Sequence, residues 1–165
     1  MRLFLGNIVG LISSLIMIYS GSIKDKKRIV FVQGIQISVY SISCLILGGI
    51  TGVVVSAINL FRNILCYKEK LGIKEKALIS VLSISISIYF NNLGLLGYCP
   101  LIGTITYLWF MDIKDVVKFK YLIIFTMSTW SIYNFIIKSY TTMVFNIITI
   151  IVSIISIIKI KRMIK

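Results

Sequence analysis

Residues 52–66 read GVVVSAINLFRNILC, and their small or polar members Gly52, Ser56, Asn59, Asn63 and Cys66 fall at steps of four, three, four and three. Ninety residues later the same steps return as Thr142, Asn146, Thr149, Ser153 and Ser156. That spacing keeps to one face of a helix with 3.6 residues per turn. Almost everything between is Ile, Val, Leu, Phe or Met, so each segment is an apolar helix with one narrow polar seam. In a bilayer such a seam must turn toward protein or water. Two seams in register predict a duplicated membrane protein whose halves meet along them.

Composition agrees with a bilayer as the solvent. Mean hydropathy is +1.00 and 58% of the 165 residues are hydrophobic, more than a soluble domain of this length can hide. Eighteen bases against five acids give a formal charge of +13. In a soluble protein that excess would suggest nucleic acid. Here the bases cluster between apolar runs, as in the cytoplasmic loops of membrane proteins, so nucleic acid is excluded as a partner. Cys44, Cys66 and Cys99 read as small buried hydrophobes. Without histidine or a CxxC pair, no metal site or cofactor is expected. Asp25, Glu69, Glu75, Asp112 and Asp115 all fall in connecting segments, which argues against an enzyme and against a carboxylate proton relay.

The apolar runs predict seven transmembrane helices at about 3–20, 29–47, 49–67, 77–90, 93–111, 121–137 and 141–158. The fourth is short for a span. Gly48-Gly49 offers the turn between the second and third. If all seven cross, fifteen of the eighteen bases share one side, leaving Arg2 and Lys138 opposite and Arg62 inside the third helix. The positive-inside rule then puts the N-terminus outside and the C-terminus in the cytoplasm. A cleavable signal peptide at the N-terminus would strand Lys24–Arg28 outside, against that rule.

The ninety-residue offset also aligns Ile23-Lys24-Asp25 with Ile113-Lys114-Asp115, Tyr40 with Trp130, and Ser41-Ile42 with Ser131-Ile132. The fold class expected is all-α: two parallel three-helix repeats (residues 1–70 and 93–165) joined by a linker helix within 71–92. An odd number of helices per half needs that linker to keep the copies parallel.

Three-plus-one-plus-three helices resemble the SWEET and PQ-loop sugar-transporter architecture. More specifically, the chain resembles the bacterial inner-membrane family typified by YgjV. The residues concerned are Gly48-Gly49-(x2)-Gly52, Asn59-Leu60-Phe61-Arg62-Asn63-Ile64 before a basic loop, Pro100-Leu101-Ile102-Gly103, Trp130-Ser131-Ile132-Tyr133-Asn134, and Ser139. The sugar-transporter likeness implies a substrate-contacting Trp and Asn sixteen residues apart, which Trp130 and Asn146 match, with Tyr40 and Ser56 as the first-half counterparts. It also implies a bending proline in the first helix of each half. Pro100 matches it; Gly10 stands at the other position.

The residues themselves suggest a site. An amide has two donors and an acceptor to satisfy, and unpaired groups in hydrocarbon cost several kcal/mol, so Asn59 and Asn146 are candidates to face a cavity. Gln33, Gln36 and Tyr40 share one face of the second helix, and Trp130, Tyr133 and Asn134 one face of the sixth. A ring flanked by amides suits a small polar solute. The blander alternatives are packing of small residues between helices, belt aromatics for Trp130 and Tyr133, and a snorkelling Arg62, whose sharper alternative is an anion contact or a gate. The reading is therefore a bilayer-embedded transporter or facilitator of a small polar solute. Its substrate-binding residues are Asn146, Trp130, Asn59, Gln36, Tyr40, Ser56 and Asn134, its hinges Pro100 and Gly10. The alternative is a scaffold whose seam is only packing, and the sequence leaves room for a homo-oligomer.

Overall fold

The computed structural model describes residues 1–22, 26–111, 113 and 115–164. They form seven α-helices: α1 (Arg2–Ser22), α2 (Lys26–Leu47), α3 (Ile50–Tyr67), α4 (Ile73–Phe90), α5 (Cys99–Phe110), α6 (Val116–Ile136) and α7 (Tyr140–Ile164). A 3-10 helix at Gly94–Tyr98 leads into α5. Among the described residues, four helices (α1, α2, α3 and α7) are long and apolar enough to cross a membrane, and 94–110 is a shorter apolar helix.

Several helices run past the apolar stretches because charged residues extend a helix as readily as apolar ones. α4 begins at Ile73, not Ala77: Glu75 reaches back to accept the Gly72 N–H at 2.9 Å and so starts the helix four residues early. α6 begins at Val116 because the Asp115 carboxylate accepts from the Val117 and Lys118 amides at 2.8 and 3.0 Å. The charged triplets of the repeat fall largely on residues 23–25 and 114, outside the described residues.

α2 ends in a Schellman turn. Gly48 takes φ +84°, its N–H donates to the Leu45 carbonyl at 3.2 Å, and the Gly49 N–H donates to the Cys44 carbonyl at 2.8 Å. The same bonds close α6 ninety residues later: Lys138, at φ +59°, donates to Phe135 at 3.1 Å and Ser139 to Asn134 at 2.8 Å. Glycine makes the left-handed turn without strain in one place; lysine tolerates it in the other.

Each helix packs against its neighbours in the order α1, α2, α3, α5, α6, α7 and back to α1, which makes a ring of six. α4 lies outside the ring against α3 and α5. Its buried stripe is Lys76, Ile79, Ser80, Ser83 and Ser87, of which the serines are small enough for close approach, and Ser80 accepts the Trp109 indole N–H at 2.9 Å. The ring is inverted relative to a soluble protein. Among the described residues, nineteen polar or charged side chains are buried against ten hydrophobic ones. Large apolar side chains such as Phe4, Phe31, Phe61, Phe125, Ile151 and Ile155 stand exposed on the outside. Lipid is the solvent that makes this distribution favourable.

Candidate functional site

The polar seams meet at the centre of the ring. Gly52, Ser56 and Asn59 on α3 are buried, as are Thr142, Asn146 and Ser153 on α7; Thr149, Cys66 and Ser156 are half-buried, and no seam member is exposed to the outside. Between them lies a cavity of about 340 Å³ to which all six ring helices contribute side chains. That is the small end of the range for ligand sites.

Asn146, Trp130, Asn59, Gln36, Tyr40, Ser56 and Asn134, the residues expected to meet solute, are all brought onto this one cavity. Their polar groups are satisfied unequally. Gln36 donates to Ser13 Oγ at 3.0 Å, and Asn59 Nδ2 to Thr104 Oγ1 at 3.1 Å, leaving Asn59 Oδ1 buried without a partner. The Tyr40 hydroxyl donates to Asn134 Oδ1 at 2.6 Å, leaving Asn134 Nδ2 unpartnered. Asn146, only 6% exposed, makes no side-chain hydrogen bond among the described residues. Tyr40 and Trp130 meet edge-on with centroids 5.5 Å apart, and Trp130 meets Tyr133 at 6.1 Å.

Hydrogen bonds join the helices at one end of the cavity. Tyr133, fully buried, accepts the Gly52 N–H at 2.7 Å. Asn7 on α1 donates to the Lys138 carbonyl at 3.0 Å and accepts from the Thr141 amide and hydroxyl at 3.0 Å each. Asn92 donates to the Gly48 carbonyl at 3.3 Å. All of these sit at the end carrying the α2–α3 and α6–α7 turns. The cavity runs from there toward the basic-loop end, reaching Met17, Gln33, Arg62, Tyr107 and Phe119.

Three expectations change. Gly10 lies inside an unbroken α1, where a Cβ would stand 2.8 Å from Thr142 Oγ1 and 3.3 Å from Ser43 Oγ; its bareness admits α7 and α2. Pro100 occupies the first turn of α5, where a missing N–H costs no helical bond and no kink results. Toward the end of α3 it is Arg62 that lines the cavity. Asn63 accepts its guanidinium and borders a second groove, between α2 and α3. Arg62 is a quarter-turn off the seam but long enough to reach in. Its burial, 7% exposed, departs from simple snorkelling.

Thr104 and Tyr107 on α5 were not anticipated. They are the ninety-residue counterparts of Ser14 and Met17, which also line the cavity. Six further pairs recur at that offset on the cavity wall: Gln33/Ile123, Gln36/Thr126, Ile37/Met127, Tyr40/Trp130, Ser56/Asn146 and Asn59/Thr149. The helix contacts exchange in the same way, since α1 meets α7 as α5 meets α3.

Helices apolar outward and polar inward around a cavity define an integral membrane protein. The comparison with known families agrees: the chain belongs to the bacterial inner membrane protein family Imp-YgjV, whose family model matches residues 4–164. No match is found among curated proteins or among solved structures.

Proposed function

We propose that this inner membrane protein carries a small polar solute by alternating access between two parallel triple-helix repeats, α1–α3 and α5–α7, joined by α4. The observation that carries the reading is the central cavity, whose lining residues recur in pairs ninety positions apart and whose one end is crossed by hydrogen bonds from α2 and α3 to α6. A pseudo-twofold axis along the membrane normal accounts for the pairs, for the repeated Schellman turns and for the exchanged helix contacts. With the basic loops in the cytoplasm, the cavity is reached from inside and sealed toward the outside. Among the described residues no carboxylate lines the cavity, so facilitated passage is favoured over proton coupling.

Asn146, Asn134 and Asn59 supply unsatisfied donors and acceptors, while Trp130 and Tyr40 supply an aromatic wall. A purely structural seam would spend those amides on one another and leave no room. The Asn59–Thr104 and Gln36–Ser13 bonds are of that kind, but Asn146 has none among the described residues. The test is uptake into proteoliposomes of a panel of sugars, amino acids and vitamin-like solutes, with Asn146→Ala as control. The carrier reading expects saturable flux of at least one solute, lowered tenfold or more by Asn146→Ala. Absence of flux from folded protein across the panel favours the scaffold.

A further inference from the structure

Among the described residues, Arg62 is the only charged side chain on the cavity wall, and it is 7% exposed. Its guanidinium is charged at any physiological pH. The partners around it are neutral: Nε and Nη2 donate to Asn63 Oδ1 at 3.3 and 3.0 Å, and the guanidinium carbon stands 5.2 Å from the Tyr107 ring centroid. It forms no ion pair among the described residues. A charge buried among neutral groups is costly until an opposite charge joins it. Two of the five N–H groups of a guanidinium are used on Asn63, which leaves donors for an oxyanion in the side-by-side geometry that arginine favours.

We infer that the cavity binds a small soluble anion, a carboxylate or phosphate, with Arg62 as its counter-ion. This deepens the carrier reading and rests on it for transport. Low-dielectric walls focus the field of the single positive charge, so a cationic solute is repelled and an anion concentrated. The next group along α3 is Asn59, one turn and ~4.5 Å of helix rise away. Its buried Oδ1 has no donor. A hydroxyl on the same solute would meet that acceptor while the acid group holds Arg62, and a volume of about 340 Å³ suits a solute of that size. A lipid phosphate offers the same oxyanion, but the enclosure of the cavity by six helices favours a solute from water.

The experiment separates binding from flux. Purified full-length protein in a neutral detergent is titrated calorimetrically with lactate, succinate and inorganic phosphate, and with lactamide as the uncharged counterpart of lactate. The wild type is expected to bind at least one of the anions saturably and lactamide at least tenfold more weakly than lactate. Arg62→Gln should weaken anion binding tenfold or more, and Arg62→Lys should restore part of it. None of the three anions bound, lactamide bound as well as lactate, or Arg62→Gln binding as the wild type does would overturn the inference. If Arg62→Gln does not fold, the lactate–lactamide comparison on the wild type decides. In nanodiscs, stabilisation by phosphatidylglycerol without any response to soluble anions would identify a lipid headgroup instead, and also overturn it. Anion binding without flux removes the carrier reading and leaves the anion site. Flux of neutral solutes indifferent to Arg62→Gln does the reverse.

Discussion

The contact between Tyr133 and Gly52 is where the account of the sealed end can be measured most sharply. Gly52 is the third residue of α3, so its N–H is one of the helix-initial donors that no carbonyl within the helix can take. The hydroxyl of Tyr133, from α6, takes it at 2.7 Å in a fully buried position. Tyr133→Phe leaves that donor buried and unpaired, at a cost of about 1–3 kcal/mol. Gly52→Ala attacks the same contact from the other side. A Cβ there would stand 2.6 Å from the Tyr133 hydroxyl, 2.7 Å from Cε1 and 3.0 Å from Cys44 Sγ. Overpacking of this kind costs about 1–3 kcal/mol. Because Phe removes the nearest obstructing atom, the double variant should be less destabilised than the two single losses combined, by about 0.5–2 kcal/mol. Reversible unfolding in mixed dodecyl maltoside and dodecyl sulfate micelles, followed by tryptophan fluorescence, gives all three values. Tyr133→Phe as stable as the wild type, or costs additive to within about 0.5 kcal/mol, would refute the reasoning.

Two further outcomes are expected. In the same micelle titration, Gly10→Ala should cost about 1–3 kcal/mol, since its Cβ meets Thr142 and Ser43; Gly34→Ala, whose nearest atom is Leu60 Cδ1 at 3.5 Å, should be neutral or stabilising. Alkaline phosphatase fused after Lys70 should be inactive and after Asn92 active, with green fluorescent protein fused after Lys165 fluorescent. Equal phosphatase activity at the first two positions would mean that α4 does not cross and that the halves are not parallel.

Much of the molecule is readable from the period of its polar residues, and the departures have physical causes. Ser56, Asn59, Thr142, Asn146 and Thr149 declare themselves because amides and hydroxyls in an apolar helix have only one tolerable direction. Thr104 and Tyr107 escape that test, since α5 is short and carries no amide. The ninety-residue offset from Ser14 and Met17 would have found them. Asn63 fits the seam by angle, yet Arg62 occupies the cavity because a long side chain reaches round a quarter-turn that a short one does not. The start of α4 is hidden from any apolar criterion by Lys74, Glu75 and Lys76, although Glu75 three residues after Gly72 is a helix-start signal in its own right. Pro100 reads as a hinge when its helix is taken to begin at Leu93. The 3-10 helix ahead of it moves it to a first turn, where proline is at ease.

The account depends on the α7 seam facing an aqueous cavity while its neighbours face lipid, and cysteine accessibility reads this directly. With Cys44, Cys66 and Cys99 replaced by alanine, Asn146→Cys and Ile147→Cys differ by one position, 6% and 41% exposed in the present residues. In inverted membrane vesicles, Asn146→Cys is predicted to react with a membrane-impermeant methanethiosulfonate reagent and Ile147→Cys to stay inert. An inert Asn146→Cys beside a reactive Ile147→Cys, or equal reactivity at both, would contradict the central cavity.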